Sequence, residues 1–276
     1  MKFFNFFLEL CIVLFFSVKY KLKETKKLTT NHNLKKKLIV SFTSKKSRFR
    51  FLHLMIESIF DQTIHPDEII LWIDIKEKKY LSKKILSFKH RGLKIKFCKN
   101  LRSYNKFYEL LKLKKKIYII TFDDDVIYNQ NSIHCLIQKF NNSKKKYIVA
   151  NRIHKIKLNN NLVQSYNNWD WNSNNLKPDT LNFQTGVFGV LYPPNCFYKD
   201  VLKKKIFLKL SPFADDIWLY WMIRLKKKRI IWSEFEYNNF NILNFDKEKL
   251  TKFNVGKNQN DNQINNMIQK YGFPKK

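Results

Sequence analysis

The chain has 276 residues and a formal net charge of +32, from 54 Lys and Arg against 22 Asp and Glu. A hydrophobic fraction of 44% and an aromatic fraction of 16% can build a large core, which excludes disorder throughout. The positive charge favours acidic partners such as phosphorylated small molecules, anionic membranes or nucleic acid. An alternative is that the Lys-rich composition only decorates solvated faces of an otherwise ordinary fold.

The basic residues recur in short runs along the whole chain. A dedicated nucleic-acid binder concentrates them on one element, so nucleic acid is not an expected partner. The four cysteines (Cys11, Cys98, Cys135 and Cys196) form no CxxC pair. This pattern predicts free thiols in a reducing compartment and thus a cytoplasmic protein.

Residues 1–34 form an apolar and then basic N-terminal segment. The apolar stretch from Phe3 to Val18 contains Glu9 and is shorter than the roughly 20 residues that cross a bilayer. Basic residues from Lys19 to Lys27 follow it. Two interpretations remain open: a peripheral or anchoring helix on the cytoplasmic side of an anionic membrane, or a helix that docks on the core.

Strand and helix patterns alternate from residue 38 onwards. Apolar runs predict strands at 38–42, 68–75, 93–98, 117–122 and 146–150. Helical periodicity or composition predicts helices at 52–60, 80–88, 104–113 and 132–140. This order predicts an α/β fold with a mainly parallel central sheet flanked by helices. Because ligands bind beyond the carboxyl ends of such strands, Thr43, Asp74 and the acidic residues from Asp123 share one expected rim.

The texture changes after residue 150. Residues 159–178 are polar and Asn-rich, which predicts a long loop over the site. Residues 214–225 predict a helix, and residues 229–232 a last strand. Residues 246–276 are polar, which predicts a loosely held tail.

Three adjacent carboxylates, Asp123, Asp124 and Asp125, directly follow the predicted strand at 117–122. Their mutual repulsion is costly unless a cation or hydrogen-bond donors offset it. Mg²⁺ and Mn²⁺ suit this position because they use one or two carboxylates together with substrate phosphates. On an extended segment Asp123 and Asp125 face one ligand while Asp124 turns away. The alternative is a solvated acidic turn or a set of helix caps.

A second acidic pair, Asp215 and Asp216, begins the helix predicted at 214–225. Either these are a cap and a first-turn acid stabilised by the helix dipole, or one of them is a general base. Three basic residues near the rim, Arg48, Arg102 and Lys106, are candidates to neutralise a diphosphate. Arg102 and Lys106 share a helix face if their helix begins early. The alternative for each is solvated surface charge.

Several motifs are missing from the sequence. It contains no GxxxxGK[ST], GxGxxG, GxSxG or HExxH pattern. P-loop NTPases and dinucleotide oxidoreductases are therefore disfavoured, and no nucleophile elbow or zinc-protease signature is present.

Six blocks occur in fixed order between Leu38 and Trp232: LIVSFTSKKSRF, LWID, NLRSYNKF, IYIITFDDDVIY, GVLYPP and SPFADDIWLYWM. Together they resemble GT-A glycosyltransferases, family-2-like enzymes of bacterial capsule and lipopolysaccharide synthesis. The resemblance implies one nucleotide-diphospho-sugar transferase domain over residues 35–245. It also implies hexosyl transfer from a nucleotide-sugar donor to a hydroxyl of a glycan or lipid-linked acceptor.

The resemblance implies roles for the donor site. Thr43 and Arg48 lie in the first nucleotide-contacting loop, Asp74 touches the base, and Lys106 lies near the nucleotide or its phosphates. With Arg102, Asp123 and Asp124 these complete the expected donor-binding set.

The resemblance also implies a metal site and a base. Asp123 and Asp125 match the DxD motif that holds Mn²⁺ or Mg²⁺ against the diphosphate, with Asp125 favoured as the direct ligand. Asp216, or its neighbour Asp215, matches the carboxylate that deprotonates the acceptor in an inverting transfer. Gly186 and Gly189 would allow close approach of the sugar, and Trp169 and Trp171 either stack on sugar or pack in the core.

Two rival interpretations remain. A haloacid-dehalogenase-type phosphotransferase or phosphatase also places DxD at a strand end, but its nucleophile normally follows the first strand. A basic binding module without catalysis, such as an inactive homologue, would depend on charge alone.

Overall fold

A seven-stranded sheet forms the centre of the computed structural model, which describes residues 2–23, 29–113, 116–236, 239–242, 254, 256 and 258–274. The strands are β1 (Leu38–Ser44), β2 (Glu68–Asp74), β3 (Leu93–Cys98), β4 (Tyr118–Thr121), β5 (Val126–Ile127), β6 (Ile148–Ala150), β7 (Ile153–Lys155), β8 (Leu158–Asn159), β9 (Leu162–Val163), β10 (Asn182–Gln184), β11 (Val190–Tyr192), β12 (Ile230–Trp232) and β13 (Phe240–Asn241). The helices are α1 (Lys2–Leu22), α2 (Phe49–Phe60), α3 (Lys83–Ser87), α4 (Asn105–Leu113), α5 (Ser132–Asn142), α6 (Lys204–Leu210), α7 (Asp215–Leu225) and α8 (Gln259–Tyr271).

The central sheet has the strand order β12-β6-β11-β4-β1-β2-β3. Every neighbouring pair in it is parallel except the two pairs made by β11, which runs antiparallel to β4 and β6. The expected mainly parallel sheet flanked by helices is therefore confirmed. Its central strands β1 and β4 are buried on both faces, which explains their continuous apolar sequences.

Two hydrophobic cores lie on opposite faces of this sheet. One contains buried side chains of α1, α2, α3 and α5, and the other contains those of α4, α6, α7 and α8. Within β1, Val40 belongs to the first core and Ile39 to the second, as the two-residue period of a strand requires. The sheet is thus covered on both sides, and its rim of strand ends is left for chemistry.

The apolar pattern does not predict strand β11 (Val190–Tyr192). Three residues are too few to show a period. Gly189, just before the strand, has φ +106°, and a Cβ there would lie 2.4 Å from the Phe122 ring. Gly189 therefore serves packing against Phe122, which immediately precedes the acidic triplet.

The segment at 159–178 is more ordered than the predicted long loop. It contributes to the β8–β9 hairpin and contains a 3-10 turn at Tyr166–Asn168. Trp169 is buried against Tyr166 and Phe183, so it packs in the core. Trp171 stays partly exposed and stacks on His154, with ring centroids 5.2 Å apart.

Helix α1 docks on α2 through one of its faces. Val13 and Phe16 are buried in the first core, and Lys19 and Lys23 both form ion pairs with Asp61, just past the end of α2. Within the described part of the chain, no helix combines the length and apolarity needed to cross a bilayer.

The expectation of a loosely held C-terminal tail is wrong for residues 259–271, while 246–253 lie outside the described residues. These thirteen residues form α8, which buries Ile264 and Met267 in the second core. The many Asn and Gln residues around them hid this apolar pair. Several of those amides make hydrogen bonds that hold the helix in place: the Asn266 side chain donates to Leu210 O at 3.1 Å.

We expect Met267→Ala to lower the free energy of unfolding by about 2–5 kcal/mol, because this side chain is fully buried and its truncation leaves a cavity. Urea denaturation measures the change. The exposed Gln269→Ala in the same helix is the matched control and should stay within about 0.5 kcal/mol of wild type. Equal stability of both variants would contradict the docking of α8.

Candidate active site

The carboxyl ends of the central parallel strands bring charged residues together at one rim. The triplet Asp123–Asp125 follows β4 after one buried residue, Phe122. Helix α4 begins close by, since the Ser41 hydroxyl of β1 donates a hydrogen bond to the carbonyl of Lys106. Helix α7 approaches the same place with its N-terminus, where Asp215 and Asp216 stand.

The Lys106 ammonium joins the two acidic clusters. Its Nζ lies 2.8 Å from Asp123 Oδ1 and 3.0 Å from Asp215 Oδ2. The side chain is only 3% exposed, so water screens these ion pairs weakly. Two carboxylates that lie far apart in sequence, Asp123 and Asp215, thus share one buried cation.

The pKa values agree with this arrangement. Although burial opposes its charge, the carboxylates of Asp123 and Asp215 hold the pKa of Lys106 well above its ordinary value. Burial likewise opposes ionisation of Asp123, but Lys106 and Arg48 hold the pKa of Asp123 below its usual range. Both partners are therefore charged at neutral pH.

A second cation, Arg48, neutralises the rest of the triplet from the start of α2. Its guanidinium forms an ion pair with Asp124, and Nη2 lies 3.3 Å from Asp125 Oδ2. Asp124 is buried, whereas the Asp125 side chain is 34% exposed. Burial together with the neighbouring Asp124 and Asp123 raises the pKa of Asp125 to about 6, against the opposing effect of Arg48.

Asp216 is held by backbone and side-chain donors. Its Oδ2 accepts a hydrogen bond from Gly186 N at 2.9 Å, and its carbonyl accepts one from Gln184 Nε2 at 3.0 Å. Its Oδ1 is buried and has no hydrogen-bond partner among the described residues. Burial and the adjacent Asp215 raise the pKa of Asp216 to about 7. A carboxylate with a free oxygen and a pKa near neutrality is suited to take a proton.

Gly186 lies at the centre of these groups. A Cβ built there would be 2.9 Å from Lys106 Nζ, 3.0 Å from Asp216 Oδ1 and 3.6 Å from Asp123 Oδ1. Any larger residue would displace at least one of the three charged groups. Glycine at this position therefore lets a cation and two carboxylates from three different elements converge.

Two carboxylates of the triplet carry the kind of donor atoms that suit a divalent cation. Asp123 and Asp125 present partly exposed carboxylate oxygens, the donors that Mg²⁺ and Mn²⁺ prefer, and Asp124 Oδ2 is buried without a hydrogen-bond partner among the described residues. No group of three or more His, Cys, Asp or Glu side chains in the described ranges is arranged to hold a metal ion. An ion here would take its remaining ligands from water or substrate phosphates.

Thr43 and Asp74 stand at the same rim but have local partners. The Thr43 hydroxyl donates to Trp72 O at 2.9 Å, within the β1–β2 pair. The Asp74 carboxylate accepts from Lys76 N at 3.1 Å and caps the 3-10 turn after β2.

Arg102 and Lys106 do not share a helix face, because the early helix start that this required is absent. Helix α4 begins only at Asn105, and Arg102 adopts a left-handed backbone with φ 58°. Its exposed guanidinium donates to Pro212 O at 3.1 Å and lies 4.3 Å from the Phe213 ring centroid. Arg102 thus contacts the turn that leads into α7, and not the acidic triplet.

Two residues near the triplet were not among the sequence candidates. The Tyr128 hydroxyl accepts from Asp123 N at 2.8 Å and donates to Asp123 O at 3.0 Å, which fixes the backbone of the triplet. Arg152 donates to the Thr185 hydroxyl at 2.7 Å, and its charge helps to lower the pKa of Asp123. Arg152 follows β6, so the strand-end rule that located the triplet could have found it.

We expect Asp216→Asn to stabilise the protein more at pH 8 than at pH 5. The raised pKa of Asp216 means that the native state binds more protons than the unfolded state between about pH 4 and 7, so stability falls as pH rises through that window. Asn cannot ionise and still offers an oxygen to Gly186 N. Urea denaturation should show a relative gain of roughly 1–3 kcal/mol at pH 8.

The exposed Asp170→Asn is the control for this pH dependence and should show no comparable gain. A difference between Asp216→Asn and wild type that stays constant from pH 5 to pH 8 would contradict the raised pKa of Asp216.

The sequence profile of glycosyl transferase family 2 matches residues 40–207, which is more than half of the chain. The match includes Lys106 and the triplet and ends before Asp215. No curated protein sequence matches the chain.

Solved structures that are similar to the chain are distant. A mannosyltransferase from Pyrobaculum calidifontis in complex with GDP-Man and Mn²⁺ has a TM-score of 0.48 at 11% identity, covering 91% of this chain and 68% of the other. S. aureus TarS 1–349 has a TM-score of 0.47 at 15% identity, covering 75% and 60%. The 4-diphosphocytidyl-2C-methyl-D-erythritol synthase from Anaerococcus prevotii has a TM-score of 0.46 at 18% identity, covering 81% and 96%. The fold is a mainly parallel α/β sheet with acidic residues at its rim. Because the family profile matches more than half of the sequence, this chain belongs to glycosyl transferase family 2.

Proposed function

We propose that the chain is a metal-dependent, inverting GT-A hexosyltransferase that uses a nucleotide-diphosphate sugar. The acceptor is a hydroxyl of a glycan or lipid-linked molecule, as in capsule or lipopolysaccharide synthesis. The observation that carries the proposal is the meeting of Asp123, Lys106 and Asp216 around Gly186. This cluster puts phosphate-neutralising charge within a few ångströms of a candidate base.

Asp125 and Asp123 are the residues that would hold Mn²⁺ or Mg²⁺ in this proposal. A bound ion supplies positive charge that stabilises the departing nucleoside diphosphate. Arg48 stands beside both the triplet and the end of β1, where it can contact phosphate oxygens once Asp125 turns to a metal. In this proposal Thr43 and Asp74, at the ends of β1 and β2, contact the nucleoside.

Asp216 is the proposed general base. Its unpaired Oδ1 would accept the proton of the acceptor hydroxyl. The hydroxyl oxygen would form its bond to the anomeric carbon at the same time. The bond from the anomeric carbon to the diphosphate oxygen breaks on the opposite face, so configuration inverts. Asp215 keeps its ion pair with Lys106, which prevents two adjacent carboxylates from repelling each other at full strength.

The family assignment favours glycosyl transfer over the phosphotransferase alternative. The second alternative, an inactive basic module, differs from the proposal in one measurable respect. A module that binds anions through charge alone would bind them more weakly as salt increases. Its binding would not depend on whether a particular carboxylate, such as that of Asp125, is present.

We expect UDP, GDP or CDP to raise the melting temperature of the wild type when Mn²⁺ is present. At a ligand concentration about 100 times Kd the gain is about 2.7 kcal/mol, or roughly 5–10 °C for a chain of this size. Asp125→Ala should abolish the Mn²⁺-dependent part, because the most exposed metal-facing carboxylate is gone. Differential scanning fluorimetry with and without Mn²⁺ measures the shift.

Asp170→Ala serves as the control, since Asp170 is an exposed acid paired with Lys157 away from the triplet. It should behave as the wild type. If Asp125→Ala retained the full Mn²⁺-dependent shift, the assigned metal role of Asp125 would be wrong.

We expect Asp216→Asn to bind nucleoside diphosphate with Mn²⁺ as the wild type does, yet to lose transfer by about 100-fold or more, because a general base is typically worth that much. Isothermal titration measures binding. Release of nucleoside diphosphate from a panel of nucleotide sugars, with a hydroxyl acceptor present, measures turnover. Turnover at the wild-type rate would move the base to another residue.

A further inference from the structure

Helix α1 carries an exposed apolar stripe along the face that does not dock. Its exposed members recur every three or four residues over about four turns, as one helix face requires, and the middle turn contributes two adjacent residues. They are Phe7, Cys11, Leu14, Phe15, Val18 and Leu22. The exposed fraction of Phe7 is 65% and that of Phe15 is 63%, so two aromatic rings stand in solvent on one surface helix.

The direction of this stripe is fixed by the opposite face of the same helix. Val13 and Phe16 are buried in the core that covers the sheet, and the Phe16 ring packs on Phe240 with centroids 5.3 Å apart. The Lys19 and Lys23 ammonium groups hold the end of the helix at Asp61. A docked helix with these anchors cannot turn its outer face towards the core without breaking them.

The stripe is long and has basic residues at its C-terminal end. From Phe7 to Leu22 it extends about 22 Å at the rise of an α-helix. Lys19 and Lys21 are exposed at its C-terminal end. The acidic residue of this helix, Glu9, is half-buried and lies outside the stripe. An exposed apolar surface of this kind marks an interaction site.

We propose that this face of α1 is a membrane-binding surface that rests on a bilayer containing anionic phospholipid, with its axis in the plane of the headgroups. Charge complementarity selects this occupant. A second copy of the chain would bring another +32 charge to the interface, whereas anionic headgroups attract the flanking lysines. The apolar stripe then enters the headgroup and acyl boundary, as interfacial amphipathic helices do.

The proposal is independent of the transfer chemistry, because it uses no residue of the candidate active site. It predicts binding to vesicles of phosphatidylcholine mixed with phosphatidylglycerol, and much weaker binding to phosphatidylcholine alone. Flotation of the full-length chain with each kind of vesicle measures the bound fraction. In the double variant Leu14→Ser/Phe15→Ser we expect partition into the anionic vesicles to fall about tenfold or more.

Leu113→Ser is the matched control, since Leu113 is a comparably exposed helical residue on the opposite side of the sheet. It should bind anionic vesicles as the wild type does. The melting temperature and the Mn²⁺-dependent shift with nucleoside diphosphate should be equal in all three proteins, which separates a lost membrane surface from a lost fold or a failed active site.

Three outcomes would overturn the proposal. Wild type that stays unbound with the anionic vesicles would remove the membrane partner. Equal binding by the double variant would show that charge alone attracts the protein and that the stripe has no part in it. A wild-type dimer in solution that the double variant loses, measured by light scattering, would assign the stripe to a second copy instead.

Discussion

The structure of the rim depends on one buried cation. Without the buried Lys106 ammonium, Asp123 after β4 and Asp215 at the start of α7 would lose the cation that pairs with both of them. Buried charges of one sign are expensive, so removing their partner is more harmful than removing a surface ion pair. The ion pairs therefore do two things at once. They hold α4 and α7 against the sheet, and they allow Asp216 to differ chemically from the neighbouring Asp215.

Arg48 has a comparable role on the other side of the triplet. Arg48 forms an ion pair with the buried Asp124, and Asp125 remains the carboxylate of the triplet that is most open to solvent. The three adjacent acids are thus not equivalent. Asp123 is paired with Lys106 and Asp124 with Arg48, whereas Asp125 contacts Arg48 and is also partly exposed at the rim. Burial, together with the neighbouring Asp124 and Asp123, raises the pKa of Asp125, and Arg48 offsets this only in part.

The sequence predicted those parts of the fold that have local causes. Continuous apolar runs located β1 and β4, and the rule that ligands meet strand ends placed the triplet at a rim. It did not predict β11, because three residues inserted antiparallel between two parallel strands leave no periodic trace. It also left open where α4 begins, and therefore which group Arg102 contacts, since that start depends on the backbone geometry of one residue. The pairing of Lys106 with Asp215 spans so much sequence that only the folded chain can show it.

The last helix has a consequence for where the working unit of this protein ends. Gln263 Oε1 accepts a hydrogen bond from Phe213 N at 2.9 Å, and Asn266 donates to Leu210, so α8 clamps the turn that sets the first residues of α7. The family profile stops at residue 207, well before both elements. A fragment trimmed to that profile would keep the acidic triplet but lose the carboxylate pair Asp215 and Asp216. One cut just after β12 would keep the pair on an unsupported turn, so domain boundaries drawn from the profile would yield a half-built enzyme.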